Sequence, residues 1–221
     1  METGDFDAFY AATAQRIGRQ IYLVTGEISA TQDAVHHAYA QAWERWATVS
    51  QLPNPEAWVR ATAAHNALNP WRELQRRLSL RRSAADREIA AAKDADQIAL
   101  LNALSQLPPR QRLAMVLHHV CGRNATQIAA EMESTVGAAQ ARLLRGRDEL
   151  ADQLPDLAER DVNAEDPLSA RLTEIAERLS PRLLTAATVR ALSRRRAYLV
   201  KAGGLLLLLI LLGLLITALT G

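Results

Sequence analysis

Apolar side chains recur at helical spacing through the first 70 residues. One stripe runs over residues 6–24 and a second over residues 35–46, and each predicts an amphipathic helix. Several small or polar residues indicate where helices begin and end. They are the stop Gly26, the capping-box pair Ser29 and Gln32, and the start Asn54–Pro55.

A second group of helices is predicted between Leu101 and Leu150. Pro108–Pro109 separates two short amphipathic helices, and Gly122 predicts a turn before two more. The last two are joined by a short turn at residues 133–135, which is the spacing of a helix-turn-helix. That motif places its second helix in the major groove of DNA. The same pattern is compatible with a plain helical bundle, so both interpretations stay open at this point.

The last helix of this group is basic towards its far end, and its residues divide between two faces. We expect four to pack inward: Val136, Ala139, Leu143 and Leu144. We expect the outward set to contact DNA, through base edges at its start and through arginines further along. That set is Gly137, Gln140, Ala141, Arg142 and Arg145.

Composition favours an all-α protein, because aromatic residues make up 5% of the 221 residues while alanine and leucine dominate. The net charge of +2 gives no general argument for a nucleic-acid partner. No catalytic constellation is recognisable, so we expect no enzymatic activity and no cofactor. His118 and His119 lie near Cys121, but adjacent helical histidines point about 100° apart and do not readily bind one zinc ion. We therefore expect no metal site.

A basic tract begins directly after Trp71, beyond the helix that is predicted to start at Asn54–Pro55. Its arginines are Arg72, Arg76, Arg77, Arg81 and Arg82. Cations next to an aromatic ring suit phosphate contact with base stacking, and a solvated basic face is the alternative. The alanine-rich stretch 83–97 has few large apolar side chains and predicts a linker.

The C-terminal end is strongly apolar. Residues 202–220 carry no charge and span roughly 28 Å as a helix, which is enough to cross the hydrocarbon core. Arginines and Lys201 precede this segment, so the positive-inside rule places the rest of the chain in the cytoplasm. A buried core helix is the alternative. We therefore expect a single-pass protein of the cytoplasmic membrane.

Three motifs of the helix-turn-helix region, LPPRQR, QIAAEM and ARLLRGRDEL, resemble the C-terminal promoter-binding domain of extracytoplasmic-function sigma factors of bacterial RNA polymerase. DAVHHAYAQAWERW resembles the polymerase-docking helix of that family, and WVRATAAHNALNPWR resembles its helix that reads the downstream promoter element. The resemblance covers residues 5–82 and 98–152. It implies two small helical domains, a region 2-like bundle and a region 4-like helix-turn-helix, joined by the linker 83–97.

The resemblance also implies the partners, core RNA polymerase and promoter DNA, and a set of site residues. The docking face would comprise Asp33, His36, His37, Gln41 and Glu44. The downstream element would be met by His65, Asn66, Asn69, Trp71 and Arg72. The upstream element would be met by the outward set of the recognition helix. The sequence departs from the usual pattern of the family at three places. His36–His37 puts the strength of polymerase docking in question, Pro70 the opening of the promoter strands, and Gln140 the preferred promoter sequence.

Residues 153–201 are predicted to form a linker and amphipathic juxtamembrane helices. Their two apolar stripes begin at Leu168 and Leu183 and need a partner, which could be the chain's own domains, the membrane surface or another chain. We hypothesise that residues 155–201 inhibit the factor, unless an anti-sigma factor does so. The sequence thus predicts a membrane-tethered sigma factor. The alternatives are a membrane-anchored helix-turn-helix one-component regulator and a tail-anchored helical interaction protein.

Overall fold

The computed structural model describes residues 3–68, 95–154, 167–178, 181 and 183–193. All regular secondary structure in these ranges is α-helical, as the composition predicts. The transmembrane helix predicted over residues 202–220 lies outside them. Among the helices that are described, none combines the length and the apolar character needed to cross a bilayer.

The described part of the N-terminal half, residues 3–68, contains four helices: α1 (Thr3–Thr25), α2 (Ile28–Glu44), α3 (Trp46–Val49) and α4 (Pro55–Ala67). The two predicted stripes face each other, and aromatic rings fill the space between them. Phe6 meets Trp46 edge-on with ring centroids 5.2 Å apart, and Tyr10 meets Tyr39 in the same way at 4.7 Å. All four side chains are buried. Such pairs favour this edge-to-face geometry, so the cluster fixes how these helices pack.

Most of the predicted helix boundaries of this half are confirmed. Gly26 follows α1 with a φ of +68°, a conformation that glycine adopts at no steric cost. The side chain of Asn54 accepts a hydrogen bond from a backbone N–H in the first turn of α4. The capping box at Ser29 and Gln32 is wrong, because α2 already begins at Ile28 and Ser29 lies inside its first turn.

Four further helices form the second half: α5 (Ala95–Gln106), α6 (Pro109–His119), α7 (Ala125–Glu131) and α8 (Val136–Gln153). Asn124 caps α7 in a capping box with Gln127, and Gly122 turns the chain before it with a φ of +61°. Helix α5 starts at Ala95, inside the linker predicted over 83–97, and residues 83–94 of that linker lie outside the described part of the chain.

The inward face of α8 is partly different from the prediction. Ala139 and Leu150 are buried, and Gly146 lies against α6, where an added Cβ would come within 2.6 Å of the Met115 sulfur. Val136, which was also predicted to pack inward, is 40% exposed. Leu144 is 64% exposed. It falls two helical turns after Gly137 and therefore shares the outward face. The absence of a side chain at Gly146, and not the presence of Leu144, lets α8 approach α6.

The two halves pack directly against each other, although the sequence predicts two domains joined by a linker. Helices α5 and α6 contact α1, and buried residues of both halves belong to one continuous apolar core. Arg112 of α6 donates a hydrogen bond of 2.8 Å to the backbone carbonyl oxygen of Val24 in α1. The described helices therefore adopt a closed arrangement.

The C-terminal arm, which we define as residues 167–178, 181 and 183–193, packs on both halves. It contains α9 (Pro167–Arg178) and a short helix α10 over residues 186–193. The first predicted stripe is confirmed, since Leu172, Ile175 and Ala176 are buried. The second is confirmed in part: Val189 is fully buried, whereas Leu184 and Leu192 are 38% and 41% exposed. The arm thus uses the chain's own helices as its partner.

Candidate nucleic-acid interface

Helices α7 and α8 form the predicted helix-turn-helix. The turn between them places Glu133 in the left-handed region, with a φ of +48°. The N–H of Ser134 donates to the carbonyl oxygen of Ala129 at 2.9 Å, which closes the end of α7. The side chain of Thr135 then accepts from Ala138 N at 3.2 Å and caps α8. Local hydrogen bonds therefore fix the start of α8, where base-contacting residues are expected.

The predicted outward set lies at the open surface of α8. Gly137, Gln140 and Arg145 are exposed, and Ala141 and Arg142 are half-buried. Arg142 lies at the edge of the set, about 100° round the helix from Ala141, and its Nη1 donates to the Ser134 hydroxyl at 3.2 Å. Arg145 is thus the arginine of the set with the more open position for phosphate or guanine.

The residues predicted to meet the downstream element are only partly placed. His65 is exposed on the last turn of α4, and Asn66 beside it is half-buried. Asn69, Trp71 and Arg72 lie outside the described residues, as does the remainder of the basic tract. This part of the predicted site therefore stays a prediction.

The predicted docking face lies on α2. Asp33 and Glu44 are exposed, while His36, His37 and Gln41 are half-buried. His36 Nε2 accepts a hydrogen bond of 2.9 Å from the backbone N–H of Leu184 in the arm. Burial lowers the pKa of His36, an effect that Asp33 opposes and His37 reinforces. The neutral imidazole is the form that can accept this bond.

The two adjacent histidines of α6 have different partners. His118 Nδ1 pairs with the backbone oxygen of Arg123 at 2.9 Å, and His119 Nδ1 pairs with the Ser169 hydroxyl of α9 at 2.8 Å. Burial raises the pKa of the neighbouring Cys121 thiol to about 11. No group of three or more potential metal ligands occurs within the described part of the chain.

A charged cluster at the junction of the two halves has no counterpart in the predictions. Arg60 of α4 is 2% exposed and pairs with Glu131 of α7 at 2.7 Å. Arg123 also approaches Glu131, at 3.4 Å, and Glu56 pairs with Arg16 at 2.6 Å. The hydrogen bond from Arg16 lowers the pKa of Glu56. No sequence signal identifies the central pair, because its members are far apart in the chain and each also suits a solvated surface.

Comparison with known proteins relates the chain to sigma factors. Residues 97–150 match the family "Sigma-70, region 4". The chain is 27% identical over 143 residues to a probable RNA polymerase sigma factor RfaY of Xanthomonas campestris pv. campestris, an alignment covering 59% of this chain and 36% of that protein. It is 26% identical over 135 residues to the RNA polymerase sigma-E factor of Streptomyces coelicolor, covering 60% and 75% respectively.

A solved structure has a similar fold. It is the sigma factor RpoE of Bartonella quintana in complex with the anti-sigma factor NepR, with a TM-score of 0.56 and 17% identity, covering 68% of this chain and 97% of that one. The matched part spans only about a third of the RfaY length. The predicted relationship to extracytoplasmic-function sigma factors is supported by these similarities. Sigma factors are non-enzymatic initiation factors, in agreement with the expectation that the chain is not an enzyme.

Proposed function

We propose that this protein is a sigma factor that recruits core RNA polymerase to specific promoters, initiates transcription and is tethered to the cytoplasmic membrane. The observation that carries the proposal is the exposed outer face of α8, in a segment that matches sigma-70 region 4. Its open arginine and capped start suit major-groove contact. The similarity to sigma factors favours this function over a one-component regulator or a tail-anchored interaction protein.

The proposed roles divide between the two halves. Helix α2 binds core polymerase through the docking face, and α8 binds the upstream promoter element through the outward set. The end of α4 and the basic tract after it contact the downstream element. A one-component regulator would need the α8 face but no docking helix, so binding of core polymerase distinguishes the two functions.

Run-off transcription tests this function. Full-length protein in mild detergent is combined with purified core polymerase and a library of promoter fragments. We expect discrete transcripts whose promoters share two sequence elements before the start site, and weaker transcripts with Arg145→Ala. An Arg110→Ala variant, whose side chain is exposed on α6, is the matched control. Transcripts that are absent, or equal with and without the protein, would contradict the proposal.

Membrane tethering is a separate part of the proposal and needs its own test. It is supported by the uncharged segment 202–220 and the basic residues before it. We expect the protein to stay with membranes through an alkaline carbonate wash. A Leu209→Arg/Leu212→Arg variant should be released, since each arginine costs about 2.5–3.5 kcal/mol at the centre of a membrane helix. The Leu209→Val/Leu212→Val variant should remain bound.

A further inference from the structure

The C-terminal arm first contacts the helix-turn-helix half. Its helix α9 packs on α6 and α1 through Leu172, Ile175 and Ala176, all of which are buried. The hydroxyl of Ser169 pairs with His119 Nδ1 of α6 at 2.8 Å. This part of the arm therefore spans the junction between the two halves of the molecule.

The arm then crosses α1 at a glycine. An ideal Cβ built on Gly18 would lie 2.9 Å from Pro181 Cγ and 3.2 Å from Leu183 Cδ1, so only glycine leaves room for this segment. Gly18 is in the interior of α1, where glycine costs about 0.5–1 kcal/mol of helix stability relative to alanine. The close approach of the arm explains why glycine occupies position 18, although glycine destabilises the helix.

The next residues bind both helices of the docking half. The Tyr10 hydroxyl of α1 donates to the backbone oxygen of Leu184, and the N–H of Leu184 donates to His36 Nε2 of α2 at 2.9 Å. The backbone N–H and the backbone oxygen of Leu184 are therefore both hydrogen-bonded to side chains of the N-terminal half. His36 belongs to the predicted polymerase-binding set, and its Nε2 cannot accept this bond and one from polymerase at the same time.

Helix α10 contacts α1 and α2 further along the same side of these two helices. Arg190 forms an ion pair with Asp7 of α1, and its guanidinium carbon lies 5.5 Å from the ring centroid of Trp43 in α2. Val189 beside it is fully buried. Trp43 lies between the docking residues Gln41 and Glu44 in the chain, so the arm extends along the docking helix from His36 to this point.

We propose that the C-terminal arm is an intramolecular inhibitor that competes with core RNA polymerase for the α1–α2 surface and holds the two halves closed. The inference rests on the proposed sigma-factor function and adds the regulation of its docking site. The outer face of α8 stays exposed in the closed state, so the arm acts on polymerase binding and on the spacing of the two halves. The arm does not cover the outer face of α8 that is proposed to bind the upstream element.

Gly18→Glu in the full-length protein separates the arm from its docking surface. Glutamate is a good helix former, so α1 is retained, while its charged side chain would enter the space held by Pro181 and Leu183. Gly4→Glu is the matched control, because nothing lies within 4 Å of a Cβ at that position. Amide hydrogen exchange of residues 183–193 reports release, and binding to core polymerase reports the functional effect.

We expect faster exchange in residues 183–193 of Gly18→Glu, and an affinity for core polymerase about tenfold or more above that of Gly4→Glu. An arm that leaves one molecule in ten competent weakens apparent binding by that factor. Arg190→Asp is the second variant and should act in the same direction. Adding Asp7→Arg restores the ion pair with reversed charges and should restore weak binding.

The outcomes separate the inference from the function on which it rests. Release of the arm with unchanged polymerase affinity overturns the inhibition and leaves the sigma-factor function intact. Exchange that is already fast in the wild type, or is unaltered by both variants, overturns the docked arm itself. If no variant binds polymerase, whether the arm is released or docked, the proposed function fails and the inhibition fails with it.

Discussion

The guanidinium of Arg60 and the carboxylate of Glu131 form two parallel hydrogen bonds, 2.9 and 2.7 Å long, across the junction of the two halves. Their side chains are only 2% and 10% exposed. Burial disfavours the charge on Arg60, and the hydrogen bonds to Glu131 offset this, so that the pKa of Arg60 is raised. A bidentate pair of this kind adds geometric specificity as well as energy, and it sets the register of α4 against α7.

Removing one member of this pair should destabilise the closed arrangement. We expect Glu131→Leu to lower the free energy of unfolding by about 3–5 kcal/mol, because it leaves a buried guanidinium without its main partner. The double variant Arg60→Met/Glu131→Leu should recover most of that loss, since no buried charge remains. Denaturant unfolding of the wild type, the single variants Arg60→Met and Glu131→Leu, and the double variant gives the coupling energy. A coupling energy near zero would mean that the pair contributes nothing to closure.

The order of the helices and most of their ends could be predicted from the sequence, because these features depend on neighbouring residues. The Asn54 cap and the Gly26 stop are such local signals. The junction could not be predicted, since Arg60 and Glu131 are separated by 71 positions and no periodicity connects them. The docked arm was one of three open alternatives, and only tertiary contacts, such as those at Gly18 and His36, distinguish it from the others.

The candidate site could also be predicted in part, where it depends on the helix period alone. Helical spacing predicted that Gly137, Gln140 and Arg145 share an open face, because their positions depend only on the helix period. The period also places Leu144 on that face, but its apolar side chain favoured an inward position. Burial of α8 instead depends on Gly146, a residue with no side chain and therefore no hydrophobic signal.

Loss of Arg145 should weaken promoter binding in the full-length protein, because the outer face of α8 is exposed even with the arm docked. We expect Arg145→Ala to cost about 1–3 kcal/mol if the guanidinium contacts a base, or to reduce the salt slope by about one if it contacts phosphate. Fluorescence anisotropy with a promoter duplex at several salt concentrations measures both. Arg178→Ala should bind DNA like the wild type. Equal DNA binding by the wild type, Arg145→Ala and Arg178→Ala would contradict the proposed contact between α8 and DNA.

Docking of the arm should weaken in acid because of His36. Its pKa is lowered from 6.5 in the docked state by burial, so the released arm leaves a histidine that binds protons more readily. Docking is therefore fully favoured above pH 6.5 and weakens as the pH falls from there towards the lowered pKa, by at most about tenfold per pH unit. Hydrogen exchange of residues 183–193 between pH 7.5 and 5.5, corrected for the intrinsic rate, measures this.

Two substitutions provide the controls for the pH effect. His36→Gln removes the titrating group and should abolish the dependence, while His65→Gln alters an exposed histidine of α4 and should preserve it. On α2 the neighbouring titratable groups are Asp33 and His37, and the arm presents the backbone N–H of Leu184. A dependence that survives in His36→Gln would assign the effect to one of these neighbours or to another group.

Two glycines of α8 should respond in opposite directions to the same change. Gly146→Ala places a Cβ 2.6 Å from Sδ and 2.7 Å from Cγ of the buried Met115, and we expect this overpacking to cost about 1–3 kcal/mol. Gly137→Ala meets nothing within 4 Å and should raise stability by about 0.5–1 kcal/mol through helix propensity. Thermal and denaturant unfolding of both variants measures the difference. A Gly146→Ala protein as stable as Gly137→Ala would show that α8 does not approach α6 at this residue, and the close packing of the helix-turn-helix would have to be redrawn.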